Sequence, residues 1–311
     1  MTTTRLVTFA LLATAGVPAL ASCSAGSSRG NPPALTPSRV GTLGLHPNHA
    51  TAWMKPGMAS QKLLYISDIV SGDVQVYTYP GVTSAGVLTG FSDPDGECTD
   101  RAGNVWIVDA AGKVFEYAHG GTSPINVLQG LHSPISCSIN IKTGDLAVAT
   151  FDDNVSVFHN AQGTPAVYSD ANFANTYYVG YDNAGNLFVD GHDAVASFHY
   201  AELPAGSSTF TDITLSTVPA EPGNVQWDGA YMAVGDQSST IYRTQGANVV
   251  GTVTLPTGCL RQFYIARAKR RIIAPDPCNA NADVFAYPAG GPPIKTVSGG
   301  LSSPIGAVIS L

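Results

Sequence analysis

The chain has 311 residues, of which 44% are hydrophobic and only 12% are charged, and it contains 33 Gly and 21 Pro. This composition favours a turn-rich β protein over long charged helices. The formal net charge is −7, and the one basic cluster, Lys269-Arg270-Arg271, lies in a predicted turn. The chain therefore lacks the basic surface that phosphate contacts need, which argues against nucleic-acid binding.

Residues 1–22 are predicted to form an export signal. Arg5 supplies a positive charge, residues 6–17 form an apolar stretch, and Leu20-Ala21-Ser22-Cys23 supplies a small-residue cleavage site. The stretch is shorter than the roughly 18 residues of a transmembrane helix. The tetrapeptide resembles the lipobox of bacterial lipoproteins, which implies a lipid on Cys23. An ordinary secretory signal with a coincidental cysteine is the alternative.

Residues 23–40 follow the cleavage site and are polar and rich in Pro, Gly and Ser. Such a composition predicts a flexible tether rather than a folded segment. The expected location is the cell envelope of a bacterium, on its periplasmic or extracellular face. We expect contact with the membrane through the lipid alone.

Residues 41–311 are predicted to form one domain built from six repeats. A short apolar segment recurs at residues 63–68, 103–109, 144–150, 185–191, 231–236 and 271–276. Each segment is followed by an alternating strand with β-branched and aromatic residues that ends in a Pro/Gly turn. A third strand follows, and a fourth precedes each repeat. Four strands repeated six times predict an all-β, six-bladed β-propeller with antiparallel blades.

The two ends of this domain complement each other. The first repeat has no preceding inner strand, whereas the chain ends in an additional inner-strand copy, SSPIGAVISL, at residues 302–311. A single blade cannot bury both of its faces, so the ring must close. We therefore predict that the C-terminal strand joins the first blade, which begins at Leu63.

A Pro-x-Gly strand, a Gly-Asn-hydrophobic strand ending in Asp and an outer Val-x-x-Tyr strand recur across residues 60–311. By these motifs the chain resembles six-bladed propellers of the NHL-repeat type, which implies the architecture but not the chemistry. It also resembles gluconolactonase-like propellers, which implies a Ca²⁺-dependent lactonase as an alternative function. The chain lacks the Glu-Gly-Pro opening strand of that family, and the family's Asn and Asp ligands have no residue-by-residue match.

Four cysteines remain after Cys23, and an oxidising compartment would allow three pairings. Cys259 begins an inner strand and Cys278 follows the antiparallel second strand, so the two are predicted to form a disulfide. Cys98 and Cys137 lie on inner strands of adjacent blades, one position out of register. A bridge and two buried free thiols are both compatible with that position. No CxxC or histidine cluster accompanies them, so no metal site is predicted.

The loops before the inner strands and after the second strands meet at one mouth of a propeller channel. Residues mapped to this rim include Asp93, Asp95, Glu97 and Asp193. Ca²⁺ takes six to eight oxygen ligands, which several blades together could supply. Alternatively, the aspartates that recur at one repeat position, with Asp68 among them, cap turns through side chain to backbone hydrogen bonds. The candidates for a ligand or cation rim are Asp109, His132, Asp153, Asp190, His192, Asp236 and Asp276.

His192 is the strongest candidate for acid–base chemistry, because Asp190 and Asp193 flank it and are expected to orient its ring. A solvated loop histidine is the alternative. No nucleophile elbow, P-loop or HExxH motif occurs, so no catalytic residue and no cofactor is assigned. We therefore predict a monomeric, non-catalytic binding module that presents one face to a protein, an envelope polymer or a small ligand. A Ca²⁺-dependent, lactonase-like hydrolase is the alternative.

Overall fold

A computed structural model describes residues 51–311, and this part of the chain is built almost entirely of β-strands. The predicted signal segment, Cys23, the tether and the domain boundary at residue 41 lie outside the described residues. The strands form six antiparallel sheets arranged in a ring, which we call blades A to F. The predicted six-bladed β-propeller is confirmed.

Blades B to F have four strands each and blade A has five, all numbered here in chain order, and the first strand of blades B to F is the inner strand. Blades A to C contain β1 (Trp53–Met54), β2 (Leu63–Asp68), β3 (Asp73–Thr78), β4 (Ser84–Leu88), β5 (Pro94–Thr99), β6 (Val105–Asp109), β7 (Lys113–Tyr117), β8 (Pro124–Gln129), β9 (Pro134–Ile139), β10 (Leu146–Thr150), β11 (Asn154–Phe158) and β12 (Ala166–Ser169). Blades D to F contain β13 (Asn175–Tyr181), β14 (Leu187–His192), β15 (Phe198–Leu203), β16 (Thr211–Asp212), β17 (Val225–Trp227), β18 (Met232–Asp236), β19 (Thr240–Gln245), β20 (Asn248–Thr254), β21 (Tyr264–Ala266), β22 (Arg271–Asp276), β23 (Asn281–Ala286) and β24 (Gly290–Val297). The final strand, β25 (Pro304–Ser310), belongs to blade A, and three short 3-10 helices lie at Met58–Ser60, His159–Ala161 and Arg267–Lys269.

The second strand of each repeat carries the core. Every residue of β2, β6, β10 and β18 is buried, because neighbouring blades cover both faces of these strands. The outer strand β12, by contrast, has no buried residue. The continuous apolar segments that marked the repeats in the sequence are therefore the strands packed between blades.

Blade A closes the ring as predicted. Strand β25 pairs with β2 in antiparallel register, from Leu63 opposite Ser310 to Asp68 opposite Pro304. Blade A also has a fifth strand that the repeat pattern did not predict, because β1 pairs with the outer strand β4. Both ends of the described chain are thus held in one sheet.

Polar side chains join the inner strands of adjacent blades. Ser136 in β9 donates to the carbonyl of Tyr177 at 2.9 Å and accepts from the backbone N–H of Val179 at 3.2 Å. Gln226 in β17 accepts from the backbone N–H of Ile265 at 2.7 Å. These bonds satisfy backbone groups along the inner edges, where no further strand is available.

Gln262 makes the widest of these connections. Its side-chain carbonyl accepts from the backbone N–H groups of Glu97 at 2.9 Å and Ala307 at 3.2 Å, and its amide donates to the carbonyl of Glu97 at 3.1 Å. One side chain of blade F therefore holds the inner strands of blades A and B. Gly306 leaves room for it, since a Cβ there would lie 2.8 Å from the Gln262 Oε1 atom.

Candidate functional site

The aspartates that end the second strands are engaged by the backbone. The Asp109 carboxylate accepts from the N–H groups of Ser92 at 2.8 Å, Asp93 at 3.1 Å and Ala111 at 3.0 Å. It thereby joins its own turn to the loop that leads into the inner strand of the same blade. The residues that share this arrangement, all buried, are Asp68, Asp109, Asp236 and Asp276. These contacts match the turn-capping alternative.

Asp190 is placed differently but is also bonded to the backbone. It is fully buried and accepts from the N–H groups of Tyr178 at 3.0 Å and Gly223 at 3.1 Å, which joins blade D to the loop before blade E. Burial raises the pKa of Asp190 well above its ordinary value. Asp153 is exposed in the turn after β10. The acidic rim residues therefore occupy separate environments.

His192 pairs with a residue that the sequence did not single out. Its Nε2 lies 3.1 Å from the Glu221 Oε2 atom, and its ring packs edge-on against Tyr177 with centroids 5.1 Å apart. The expected orienting residues have other partners, since Asp190 is bonded as described above and Asp193 accepts from backbone N–H groups of its own turn. Glu221 comes from the loop before blade E, so adjacency in sequence did not reveal it.

His132 forms an exposed pair. Its Nδ1 lies 2.9 Å from the Asp152 Oδ2 atom, and the two side chains are 81% and 39% exposed. An ion pair in this setting contributes little to stability, because water screens it. The pair lies on the rim face, where β10 turns towards β11.

Among residues 51–311, two groups of three His, Cys, Asp or Glu side chains bring ligand atoms within 4.8 Å of one another. Cys259, Asp276 and Cys278 form one group, but its two sulfurs are bonded to each other. The other group is Asp170, His199 and Asp212, outside the predicted rim. Neither group unites rim candidates from two blades, and neither offers the six to eight oxygen ligands that Ca²⁺ takes.

Two disulfides are present. The predicted pair Cys259–Cys278 has Cα atoms 5.6 Å apart, and Cys98–Cys137 has Cα atoms 5.7 Å apart. Of the two alternatives for Cys98 and Cys137, a disulfide or two free thiols, the structure contains the disulfide. This bridge joins the inner strands of blades B and C. Disulfides indicate an oxidising, extracytoplasmic compartment. No helix among the described residues is long and apolar enough to span a membrane.

A cavity of about 160 Å³ lies in the central channel, lined by inner-strand residues from all six blades. It lies towards the face at which the inner strands end, opposite the rim. Glu97 lines it and is only 3% exposed. Neither carboxylate oxygen of Glu97 has a hydrogen-bond partner within residues 51–311. The repeat pattern of the sequence predicts Glu97 among the rim residues, whereas in the structure Glu97 lines this cavity.

A second, more peripheral cavity of about 270 Å³ lies between blades B and C. Arg101, Trp106 and Glu116 are among its lining residues. The Glu116 carboxylate accepts from the Asn104 side chain at 2.8 Å, and burial raises its pKa above the ordinary value. No rim candidate lines this cavity.

No protein-family model matches this chain. No curated protein sequence matches it either. Among solved structures, a chain in a crystal structure of a nidogen/laminin complex is similar, with a TM-score of 0.68 and 12% sequence identity. The similarity covers 80% of this chain and 98% of that chain. At this identity the similarity shows the propeller fold alone.

Proposed function

We propose that this protein is a lipid-anchored, non-catalytic binding module of the bacterial cell envelope. The observation that carries the proposal is the engagement of the rim aspartates by backbone N–H groups. Asp109 and Asp276 hold the loops around the channel mouth instead of converging on a reacting group. Loops held on a rigid scaffold are suited to recognition.

The rim of blades D and E is the proposed contact surface, and we define it as residues 192–197 and 216–222. The His192–Glu221 pair joins these two segments at 3.1 Å. Val195 and Val218 are 80% and 55% exposed on them. Exposed apolar side chains on fixed loops favour a protein partner over a small polar ligand. The similar solved chain comes from a complex of two proteins, which is consistent with this choice.

Site-specific photo-crosslinking tests the surface. A photoreactive residue at Val195 or Val218 is expected to give one defined protein adduct in intact cells. Val167 on the outer strand β12 is the matched control, because it is 60% exposed but lies away from this rim. Equal adducts from all three positions, or none from Val195 and Val218, would contradict the proposed surface.

The remaining parts of the proposal are tested separately. Cys23→Ser should abolish lipid labelling and release the protein from the membrane fraction, whereas Ser24→Ala should do neither. Purified protein should not hydrolyse a panel of lactones in the presence of Ca²⁺. Saturable turnover that a chelator abolishes would instead establish the hydrolase alternative.

A further inference from the structure

Glu97 is an unusual residue at its position in the fold. In the inner strand of blade B, Glu97 pairs with Ile107 of the second strand. In four other blades the inner-strand residue at the same repeat position is Cys137, Val179, Val225 or Ala307. Those four side chains are small or apolar. Glu97 is therefore the one carboxyl group at this repeat position among these five blades. The structural role that the position has in the other four blades is filled by small or apolar side chains, so it does not explain a carboxyl group.

No hydrogen bond within residues 51–311 compensates for the burial of the Glu97 carboxyl group. The backbone of Glu97 is held by Gln262, but its two carboxylate oxygens are buried without a hydrogen-bond partner in the described chain. A buried polar group left in this state destabilises a fold. Such a group calls for an explanation by function or by a missing partner.

The cavity beside Glu97 has an aromatic lining. Tyr181, Trp227 and Tyr264 all line it and are partly buried. Aromatic faces attract cations, and more strongly where water is excluded. The charged residues of the lining are Glu97, Asp182 and Arg267, two acids against one base.

Other ligand classes fit this lining poorly. An anion would meet Glu97, and an uncharged apolar molecule would leave Glu97 without a partner. A Ca²⁺ ion needs six to eight oxygen ligands. The amide oxygen of Gln226 already accepts from the backbone N–H of Ile265, and that of Gln262 accepts from two backbone N–H groups. An ammonium head with N–H donors, by contrast, would favour the ionised form of Glu97 and bond both of its carboxylate oxygens.

We infer that this cavity binds a small protonated amine, with its ammonium head on Glu97 and its carbon chain against Tyr181, Trp227 and Tyr264. The volume of about 160 Å³ is that of about five water molecules, which suits a short alkylamine. This site lies at the opposite end of the channel from the proposed protein-binding rim. It goes beyond that function and does not depend on it.

Three probes of nearly equal shape separate the ligand classes: n-butylamine, 1-butanol and butyrate, which are a cation, a neutral molecule and an anion at neutral pH. Binding is followed by NMR through the indole N–H signal of Trp227, assigned with Trp227→Phe. Butylamine is expected to shift this signal saturably, and the other two probes are not. Equal shifts from butanol or butyrate, or no shift from butylamine, would overturn the inference.

Glu97→Gln keeps the side-chain shape and removes the carboxyl group that an ammonium head would hold in its ionised form. It should weaken butylamine binding by about tenfold or more, as loss of a charge-assisted hydrogen bond would. Glu116→Gln in the cavity between blades B and C is the control and should bind butylamine as the unmodified protein does. Unchanged affinity in Glu97→Gln would overturn the inference. If that variant does not fold, Trp227→Leu at the partly buried edge of the cavity should show the weakened binding by calorimetry, and unchanged affinity there would contradict it.

Discussion

Replacing Asp68 with alanine should loosen the joint that closes the ring. Asp68 ends β2, is fully buried, and accepts from the N–H groups of Val70 at 3.1 Å and Ser71 at 3.0 Å in its own turn. Its other carboxylate oxygen accepts from Ser302 and, at 2.9 Å, from Ser303, which precede the final strand. One carboxylate thus joins the beginning and the end of the propeller.

The cost follows from these four hydrogen bonds. Each contributes about 1 kcal/mol net, because the released N–H groups lie in turns where water can replace part of the interaction. Asp68→Ala should therefore lower the free energy of unfolding by about 4 kcal/mol. Asp109→Ala is the matched control, since it loses three bonds of the same kind within a single blade and should cost about 3 kcal/mol.

Urea denaturation measures the two losses, and amide hydrogen exchange locates them. Asp68→Ala should speed exchange at the start of β25, around Ile305, because that end of the strand loses its anchor. Asp109→Ala should leave β25 protected. Unchanged protection of β25 in Asp68→Ala, or equal exposure in both variants, would refute the role of Asp68 in closure.

Three further changes are informative. In the absence of an amine, burial raises the pKa of Glu97 well above its ordinary value, so the folded protein retains a proton that the unfolded chain releases as pH rises. The stability of Glu97→Gln relative to the unmodified protein should therefore increase between about pH 4 and pH 7, by at most about 3 kcal/mol in urea titrations, and a pH-independent difference would contradict this. Removing Cys98–Cys137, which closes 39 residues of sequence, with serine at both positions should cost about 4 kcal/mol in thermal melts, against about 3 kcal/mol for Cys259–Cys278, which closes 19. A larger loss of stability for Cys259–Cys278 than for Cys98–Cys137 would argue against loop-closure entropy as the source of the stabilisation. Gly306→Ala would put a Cβ within 2.8 Å of Asp95, Ser67 and Gln262 atoms and should cost about 1–3 kcal/mol in urea, whereas Gly299→Ala, with no atom within 4 Å of its Cβ, should change stability by under about 0.5 kcal/mol. Equal losses of stability in the two glycine variants would contradict the close packing of Asp95, Ser67 and Gln262 atoms against Gly306.

The fold was predictable because the information that specifies it is repeated along the chain. The second strands are buried on both faces, so they read as apolar segments, and six copies imply six blades. Ring closure by β25 followed from one missing and one additional copy of the same strand. Strand β1 was not predicted because a two-residue strand is too short to show a period.

The side-chain environments were less predictable because they depend on contacts between blades. The partner of His192 is Glu221, which lies 29 residues later in the chain. The position of Glu97 depends on a register shift between Pro94 and Glu97. Beyond such a shift, the alternation of side chains along the strand no longer predicts which of them faces the channel. Neither feature has a periodic signal in the sequence.

The pairing of β2 with β25 has a consequence for how the protein matures. A chain that emerges with its N-terminus first must keep the inner edge of Leu63–Asp68 unpaired until Ser310 has emerged. An unpaired edge strand is a template for association with other chains. A chain broken anywhere before Pro304 would keep that edge permanently. A chaperone or protease that recognises open sheet edges would therefore meet this edge briefly in a chain that reaches Ser310, and permanently in a chain that is broken before Pro304.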